Sequence, residues 1–127
     1  AAILTVRDRD IPESNHLSAA LHGLILARMG QQDAARRAFE DSIEHTANAL
    51  SHTPGDFSAY YVRGLAHSGL VLSGGDPHLA IEDYQTARSL RAHLGLVAHE
   101  IRLLDTLMLT PGSEQLTSVR AVLSATD

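Results

Sequence analysis

The chain has 127 residues, 44% of them hydrophobic, and a formal net charge of -5, which is the composition of one ordinary globular domain. Its ten cations are all arginine, typical of a GC-rich bacterial genome, and the acidic balance argues against a nucleic-acid surface, since phosphate binding needs clustered cations. The absence of cysteine excludes disulfides and thiolate chemistry. No signal peptide and no apolar run of roughly 18 residues is present, so we expect a cytoplasmic protein without membrane contact.

The chain begins without methionine and passes from Ala1 and Ala2 into a short apolar run at residues 3–6. We interpret residues 1–127 as a single domain, a fragment of a longer protein. The apolar run is either a strand-like tail or the end of an upstream helix. Pro12 then predicts a helix start, because its fixed φ suits the first turn and its missing N–H costs nothing there.

Apolar residues next recur at intervals of three and four, the helical period. The first helix is predicted from about residue 14 to Met29, and Gly30 ends it because glycine readily takes positive φ. The second helix is predicted from about residue 31 to His52, where Pro54 and Gly55 stop it.

Asp56 is predicted to cap a third helix over residues 57–72, which the loop at residues 73–75 ends. Asp76 and Pro77 then begin a fourth helix as a cap and a first-turn proline. Periodicity predicts that this helix buries one stripe and turns its charged residues to solvent. The predicted buried residues are Leu79, Ala80, Ile81, Tyr84, Ala87 and Leu90, and the predicted solvent-facing residues are Glu82, Asp83, Arg88 and Arg91.

Gly95 leaves two possibilities open. Either the fourth helix bends through it, or a fifth helix begins there and runs to about Leu109. Pro111 and Gly112 end this segment, and a sixth helix with one apolar stripe follows. We therefore predict an all-α domain of about six helices in three antiparallel pairs. The residues of the fifth segment expected to face the core are Leu96, Val97, Ile101, Leu104 and Met108.

The first two pairs share a pattern of small and aromatic residues. A glycine in the first helix is followed, in the second helix, by an alanine and then by an aromatic residue four positions on. Glycine and alanine let two helices approach closely, and the aromatic ring fills the space between neighbouring hairpins. The matching positions are Gly23, Ala35 and Phe39 in the first copy and Gly64, Ala80 and Tyr84 in the second.

This pattern resembles the tetratricopeptide repeat (TPR) family. The resemblance implies antiparallel helix hairpins stacked as a short right-handed solenoid. Gly23 and Gly64 lie 41 positions apart (64 minus 23), more than the family period of about 34. Arg102 stands where the third glycine belongs, so the third pair is a degenerate repeat or a cap. A generic helical bundle is the alternative.

Resemblance to this family also implies binding of a protein or peptide on the concave face, which the first helix of each pair forms. That face lacks the Lys and Asn residues of a carboxylate clamp, so a helix in an apolar groove is the expected ligand. The alternative is that the leucines of this face pack against their own neighbours or an upstream segment. The implied partner-binding residues are Leu17, Ala20, Leu24, Ala27, Arg28, Ser58, Tyr61, Leu65 and Ser68.

The eight histidines show no metal-ligand spacing, since no i, i+4 pair and no H-E-x-x-H motif occurs. We expect most of them on the surface, with His22 and His67 partly buried, and we predict no catalytic residue, metal or cofactor. The predicted function is a protein-interaction module, an adaptor or regulatory domain of a longer chain. The alternative is a homo-oligomerisation module that pairs through its terminal helices.

Overall fold

A computed structural model describes residues 12–125, and this part of the chain is all-α, with six helices and no strand. The apolar run at residues 3–6 lies outside the described residues. The prediction of an all-α chain with six helices is confirmed for the described part. The helices are α1 (Pro12–Arg28), α2 (Gln32–His52), α3 (Phe57–Val71), α4 (Pro77–Leu90), α5 (Leu94–Met108) and α6 (Leu116–Leu123).

The helix boundaries follow from local chemistry. Gly30 follows the end of α1 with φ +80°, a conformation that side chains disfavour. The Asp56 carboxylate accepts a hydrogen bond from the backbone N–H of Ala59 at 3.3 Å and caps α3. Asp76 caps α4 in the same way, accepting from the N–H of His78 at 2.9 Å. The predicted breaks and caps are therefore confirmed.

The chain around Gly95 forms two separate helices rather than one helix that bends. α4 ends at Leu90 and α5 begins at Leu94. His93 lies between them and caps α5, since its Nδ1 accepts from the backbone N–H of Gly95 at 3.2 Å and of Leu96 at 3.4 Å. Three residues therefore connect two independently capped helices.

The first four helices form two hairpins that pack closely on each other. α1 pairs with α2 and α3 with α4, and both helices of the first hairpin contact α3. The Phe39 ring on α2 lies against Gly23 and Gly69, where an added Cβ would lie 2.8 Å and 2.2 Å from the ring. The hairpins can approach this closely because both positions lack a side chain.

The second hairpin repeats the contact inside itself. Tyr84 on α4 is fully buried against Gly64 of α3, where a Cβ would lie 2.8 Å from the ring. A hydrogen bond also joins the two helices of the first hairpin, since the Ser42 hydroxyl on α2 donates to the His16 carbonyl on α1 at 2.8 Å. The glycines and aromatic residues of the shared pattern are therefore packing residues.

The C-terminal helices do not repeat this stacking. α2 packs on the first helix of the following pair, α3, whereas α4, outside its own hairpin, packs mainly on α6, the second helix of the following pair. α5 lies instead on α1, α3 and α6. Leu116, Val119 and Leu123 of α6 are fully buried, so its apolar stripe is used inside the molecule.

Three expectations about burial are wrong. Asp83 was expected in solvent but is buried, because it pairs with α3 inside the second hairpin. Leu79 and Leu90 were expected in the core but are 44% and 45% exposed, because they lie at the ends of α4. His22 was expected to be partly buried but is exposed, whereas His67 is partly buried beside Asp83. Most of the histidines lie on the surface as expected, and His16, fully buried where α1 meets α2, is the exception.

Candidate functional site

The candidate site is the face shared by α1 and α3, which we call the α1/α3 groove and define by the nine residues predicted to bind a partner. Three of them are exposed: Leu17 (40%), Arg28 and Ser58. The other six are buried in this structure and reach no partner unless a neighbouring element moves. They are Ala20, Leu24, Ala27, Tyr61, Leu65 and Ser68.

The groove is occupied by a helix of the same chain, α5. At its start, the Tyr61 hydroxyl on α3 donates to the Arg91 carbonyl at 2.6 Å. At its end, an Arg28 Nη on α1 lies 3.5 Å from the Thr110 hydroxyl. The segment from Arg91 to Thr110, which contains α5, is therefore bonded to α3 before the helix and to the end of α1 after it.

Three side chains of α5 are buried, namely Glu100, Leu104 and Leu107. Their spacing of four and three residues places them on one face of the helix. Both leucines are fully buried and belong to the same apolar cluster as Leu24 and Leu65 of the groove. An amphipathic helix with this spacing is thus complementary to the groove.

Glu100 is the exception on this apolar face. It is 8% exposed, and within residues 12–125 it has neither a hydrogen bond nor an ion pair. Burial raises the pKa of its carboxyl from 4.5 to about 7, because a charged carboxylate loses its hydration there. At neutral pH the group is therefore near its titration midpoint inside the protein.

Two tyrosines from the second hairpin lie close to this carboxyl. Burial, together with the Glu100 carboxyl, raises the pKa of Tyr61 and raises that of Tyr84 further, although Arg88 lowers the former. The Tyr84 hydroxyl is buried without a hydrogen bond of ordinary geometry, although Ser68 is near enough to lower its pKa. Both tyrosines are therefore affected by the charge of Glu100, and Tyr61 is also affected by that of Arg88.

A second buried polar cluster holds the two helices of the second hairpin together. The Arg63 Nη lies 2.9 Å from an Asp83 carboxylate oxygen, and the His67 Nε2 lies 3.6 Å from the other. Burial raises the pKa of Asp83, and the Arg63 guanidinium offsets part of that rise. Burial also lowers the pKa of His67. We interpret this cluster as structural, because the Arg63–Asp83 ion pair joins α3 to α4. The half-buried Arg63 guanidinium also lies over the Tyr60 ring, 5.3 Å from the ring centroid.

Among residues 12–125, no three His, Asp or Glu side chains are grouped so as to hold a metal ion. None of the six described helices combines the length and apolar character needed to cross a membrane.

Comparison with known proteins assigns no relationship: no protein-family model, curated protein or solved structure matches the chain. The class that the described residues define is therefore an all-α domain of two close-packed hairpins with a third helix pair. Its candidate site is the α1/α3 groove with α5 in it.

Glu100 is the site residue that the sequence prediction missed. The signal was present, because Glu100 lies four residues before Leu104 and seven before Leu107, on the apolar stripe of α5. A charged residue at such a position contradicts the helical pattern around it.

Proposed function

We propose that this domain is a protein-interaction module whose α1/α3 groove binds an amphipathic helix of a partner or of another part of a longer chain. One observation carries the proposal: α5 lies against α1 and α3, and its fully buried Leu104 and Leu107 belong to the same apolar cluster as Leu24 and Leu65. A face that accommodates one helix by apolar contact is suited to another of similar pattern. The resemblance to TPR proteins, on Gly23, Phe39 and their counterparts, supports the same function.

The groove as predicted is largely closed while α5 is in place. Binding of a partner helix through Leu24 or Leu65 therefore requires α5 to leave. The exposed groove residues Leu17, Arg28 and Ser58 are available beforehand. We propose that they form the first contact.

The test uses the full chain and a fluorescently labelled peptide of residues 92–109, which covers α5. We expect weak binding to the unaltered chain, because α5 competes from within the same molecule at high effective concentration. A chain with Leu104→Ser, which loosens α5, should bind the peptide at least about tenfold more tightly, since burying one leucine contributes roughly 1.5–3 kcal/mol.

Leu94→Ser is the matched control, because Leu94 is on the same helix but 87% exposed. It should leave the affinity unchanged. Circular dichroism checks that the Leu104→Ser chain keeps its helices, and Leu107→Ala is a milder substitute if it does not. Absence of peptide binding to a folded, loosened chain would contradict the proposal.

Self-association through α1 is the second candidate. Ile25 on α1 and Met29, the residue after its end, lie four positions apart and are 59% and 62% exposed, whereas the apolar stripe of α6 is buried. Of the two helices first considered for pairing, α1 therefore offers the free apolar face. Light scattering over a concentration series tests this, with Ile25→Glu expected to abolish any dimer. A chain that stays monomeric at high concentration would argue against self-association.

A further inference from the structure

Three arginines within residues 12–125 are half-buried, namely Arg63, Arg88 and Arg120. Two of them are paired with a carboxylate on a neighbouring helix, Arg63 with Asp83 of α4 and Arg120 with Asp105 of α5. Arg88 on α4 has no ion pair in this part of the chain. A cation that is partly removed from water without a counter-ion is unfavourable, because it loses hydration without a compensating charge. Arg88 is therefore the half-buried arginine that lacks an anionic partner among the described residues.

The hydrogen bonds of the Arg88 guanidinium are also incomplete. One Nη donates to the Val122 carbonyl of α6 at 3.3 Å. The Nε–H group is buried and has no acceptor within residues 12–125, and the second Nη, which is not fully buried, has none there either. These two nitrogens carry parallel N–H groups on one edge of the guanidinium, an arrangement that matches the two oxygens of a carboxylate. The edge of Arg88 suited to an anion is thus the edge without a partner.

Arg88 lines a cleft of about 330 Å³ between α4 and α6, which we call the Arg88 cleft. Gln85 and Ser89, three residues before Arg88 and one after it, add two uncharged polar side chains to its wall. Val122 of α6 and Ala125 add apolar surface. The volume lies at the lower end of the range for small-molecule sites, roughly 300–1,000 Å³. The cleft therefore combines an unpaired cation with an apolar wall in a space of small-ligand size.

The electrostatics of the Arg88 cleft favour a ligand with a single negative charge. No second cation is among the residues that line it. Arg88 lies in the last turn of α4, where the helix dipole places partial negative charge. The whole chain has a formal net charge of -5, which opposes the approach of a multiply charged anion. A carboxylate suits the cleft better than a phosphate dianion for these reasons.

We propose that the Arg88 cleft binds a small monocarboxylate with a short aliphatic chain. The carboxylate accepts hydrogen bonds from the free edge of the Arg88 guanidinium, and the aliphatic chain lies on Val122 and Ala125. None of the residues that line this cleft belongs to the α1/α3 groove. The inference therefore goes beyond the proposed function and does not depend on it.

The experiment follows the Arg88 Nε–H resonance by NMR in the ¹⁵N-labelled full chain, with hexanoate as the probe. A buried Nε–H exchanges slowly with water, and its absence from the spectrum of the Arg88→Gln chain assigns it. We expect a saturable downfield shift of this resonance with hexanoate at up to about 10 mM. Hexanamide has the same aliphatic chain without the charge and should bind at least about tenfold more weakly, because charge-assisted hydrogen bonds are the stronger ones.

Two variants test the role of the guanidinium without altering Arg88. Gln85→Glu places a carboxylate three residues before Arg88 on the same helix, where it can pair with the guanidinium. Hexanoate should then bind roughly tenfold more weakly, because the added carboxylate competes for the same N–H groups. Gln31→Glu makes the same charge change at an exposed position before α2 and should leave the affinity unchanged. Since Gln85 is also exposed, this comparison holds even if the Arg88→Gln chain fails to fold.

Asp127 is a second source of the same chemistry, because it follows Ala125 by two positions in the sequence. Binding of hexanoate only after Asp127→Asn would assign the cleft to a carboxylate of the chain itself and overturn the proposal of a free ligand. Equal affinities for hexanoate and hexanamide, or tighter binding of inorganic phosphate, would overturn the choice of a carboxylate. Absence of any shift in all the chains would overturn the site. Each of these outcomes leaves the proposed function of the α1/α3 groove unaffected.

Discussion

The two N-terminal hairpins and the C-terminal helix pair are built from similar amphipathic helices but are held in different ways. In the hairpins, aromatic rings lie directly on glycines, Phe39 on Gly23 and Gly69, and Tyr84 on Gly64. In the C-terminal pair, aliphatic residues make the contacts, and the buried face of α5 includes the unpaired Glu100.

The difference in contact chemistry leads us to expect different tolerance to substitution in the two regions. A ring on a bare backbone leaves no space for a side chain, so the spacing of the helices is determined by that contact. Aliphatic contacts tolerate exchange of similar side chains at modest cost. We therefore infer that the hairpins are the scaffold and that α5 is the element able to leave. The four predictions below test this contrast.

The largest effect is expected at Phe39. Phe39→Ala should lower the free energy of unfolding by about 3–5 kcal/mol, because a fully enclosed ring between two hairpins leaves a cavity. Chemical denaturation measures this loss. Leu104→Ala should instead increase hydrogen exchange mainly in α5, as expected for local opening. Equal loss of protection throughout the chain in both variants would remove the distinction between scaffold and movable helix.

A smaller effect is expected from added volume at the same contact. Gly69→Ala should destabilise the protein by about 1–3 kcal/mol, since its Cβ would lie 2.2 Å from the Phe39 ring. Gly55→Ala is the control, because a Cβ there meets nothing within 4 Å. Adding Phe39→Leu to Gly69→Ala should recover part of the loss in a double-mutant cycle. Additive losses would show that the two residues are not coupled.

Glu100 should make the stability of α5 depend on pH. Its pKa is raised from 4.5 to about 7, so its stabilising contribution is complete below about pH 4.5 and is lost as the pH rises to about 7. Glu100→Gln should therefore raise the free energy of local opening of α5 by roughly 1–3 kcal/mol at about pH 8. In this variant the free energy should no longer fall as the pH rises to about 7. Hydrogen exchange of α5 amides across this range measures the effect. An unchanged slope in the variant would show that another group is responsible.

The smallest effect is expected at the start of α5. His93→Ala removes the side chain that accepts from the N–H groups of Gly95 and Leu96, and should cost about 0.5–1 kcal/mol. The loss should appear as faster exchange in the first turn of α5, with little change in the hairpins. His93→Asn, which can also accept these hydrogen bonds, should retain most of the protection. A loss spread over α1 to α4 would contradict a purely local cap.

Much of the fold follows from local signals in the sequence. Helix ends are marked by residues that act within their own turn. Pro12 and Gly30 act through their φ angles, and Asp56 and Asp76 act through hydrogen bonds to backbone N–H groups. The packing role of Gly23 and Phe39 also follows from their spacing, because it repeats in the second hairpin.

The position of α5 could not be predicted in the same way. Periodicity identifies an apolar stripe on a helix but does not specify which neighbour covers it. Periodicity also does not show that Leu79 and Leu90 are exposed because they lie at the ends of α4, or that Asp83 is buried because it pairs with Arg63 of α3. The groove residues were assigned to a binding face, but that face is covered by another part of the chain.

The sequence by itself determined about six helices, the caps at Asp56 and Asp76 and the glycine and aromatic residues of two hairpins, because these depend on contacts within a few residues or on a repeated spacing. Only the tertiary structure decided that α5 lies in the α1/α3 groove and that Glu100 is buried there. The physical reason is that burial depends on which distant surfaces meet, and Glu100 becomes unusual only through the surface that takes it out of water.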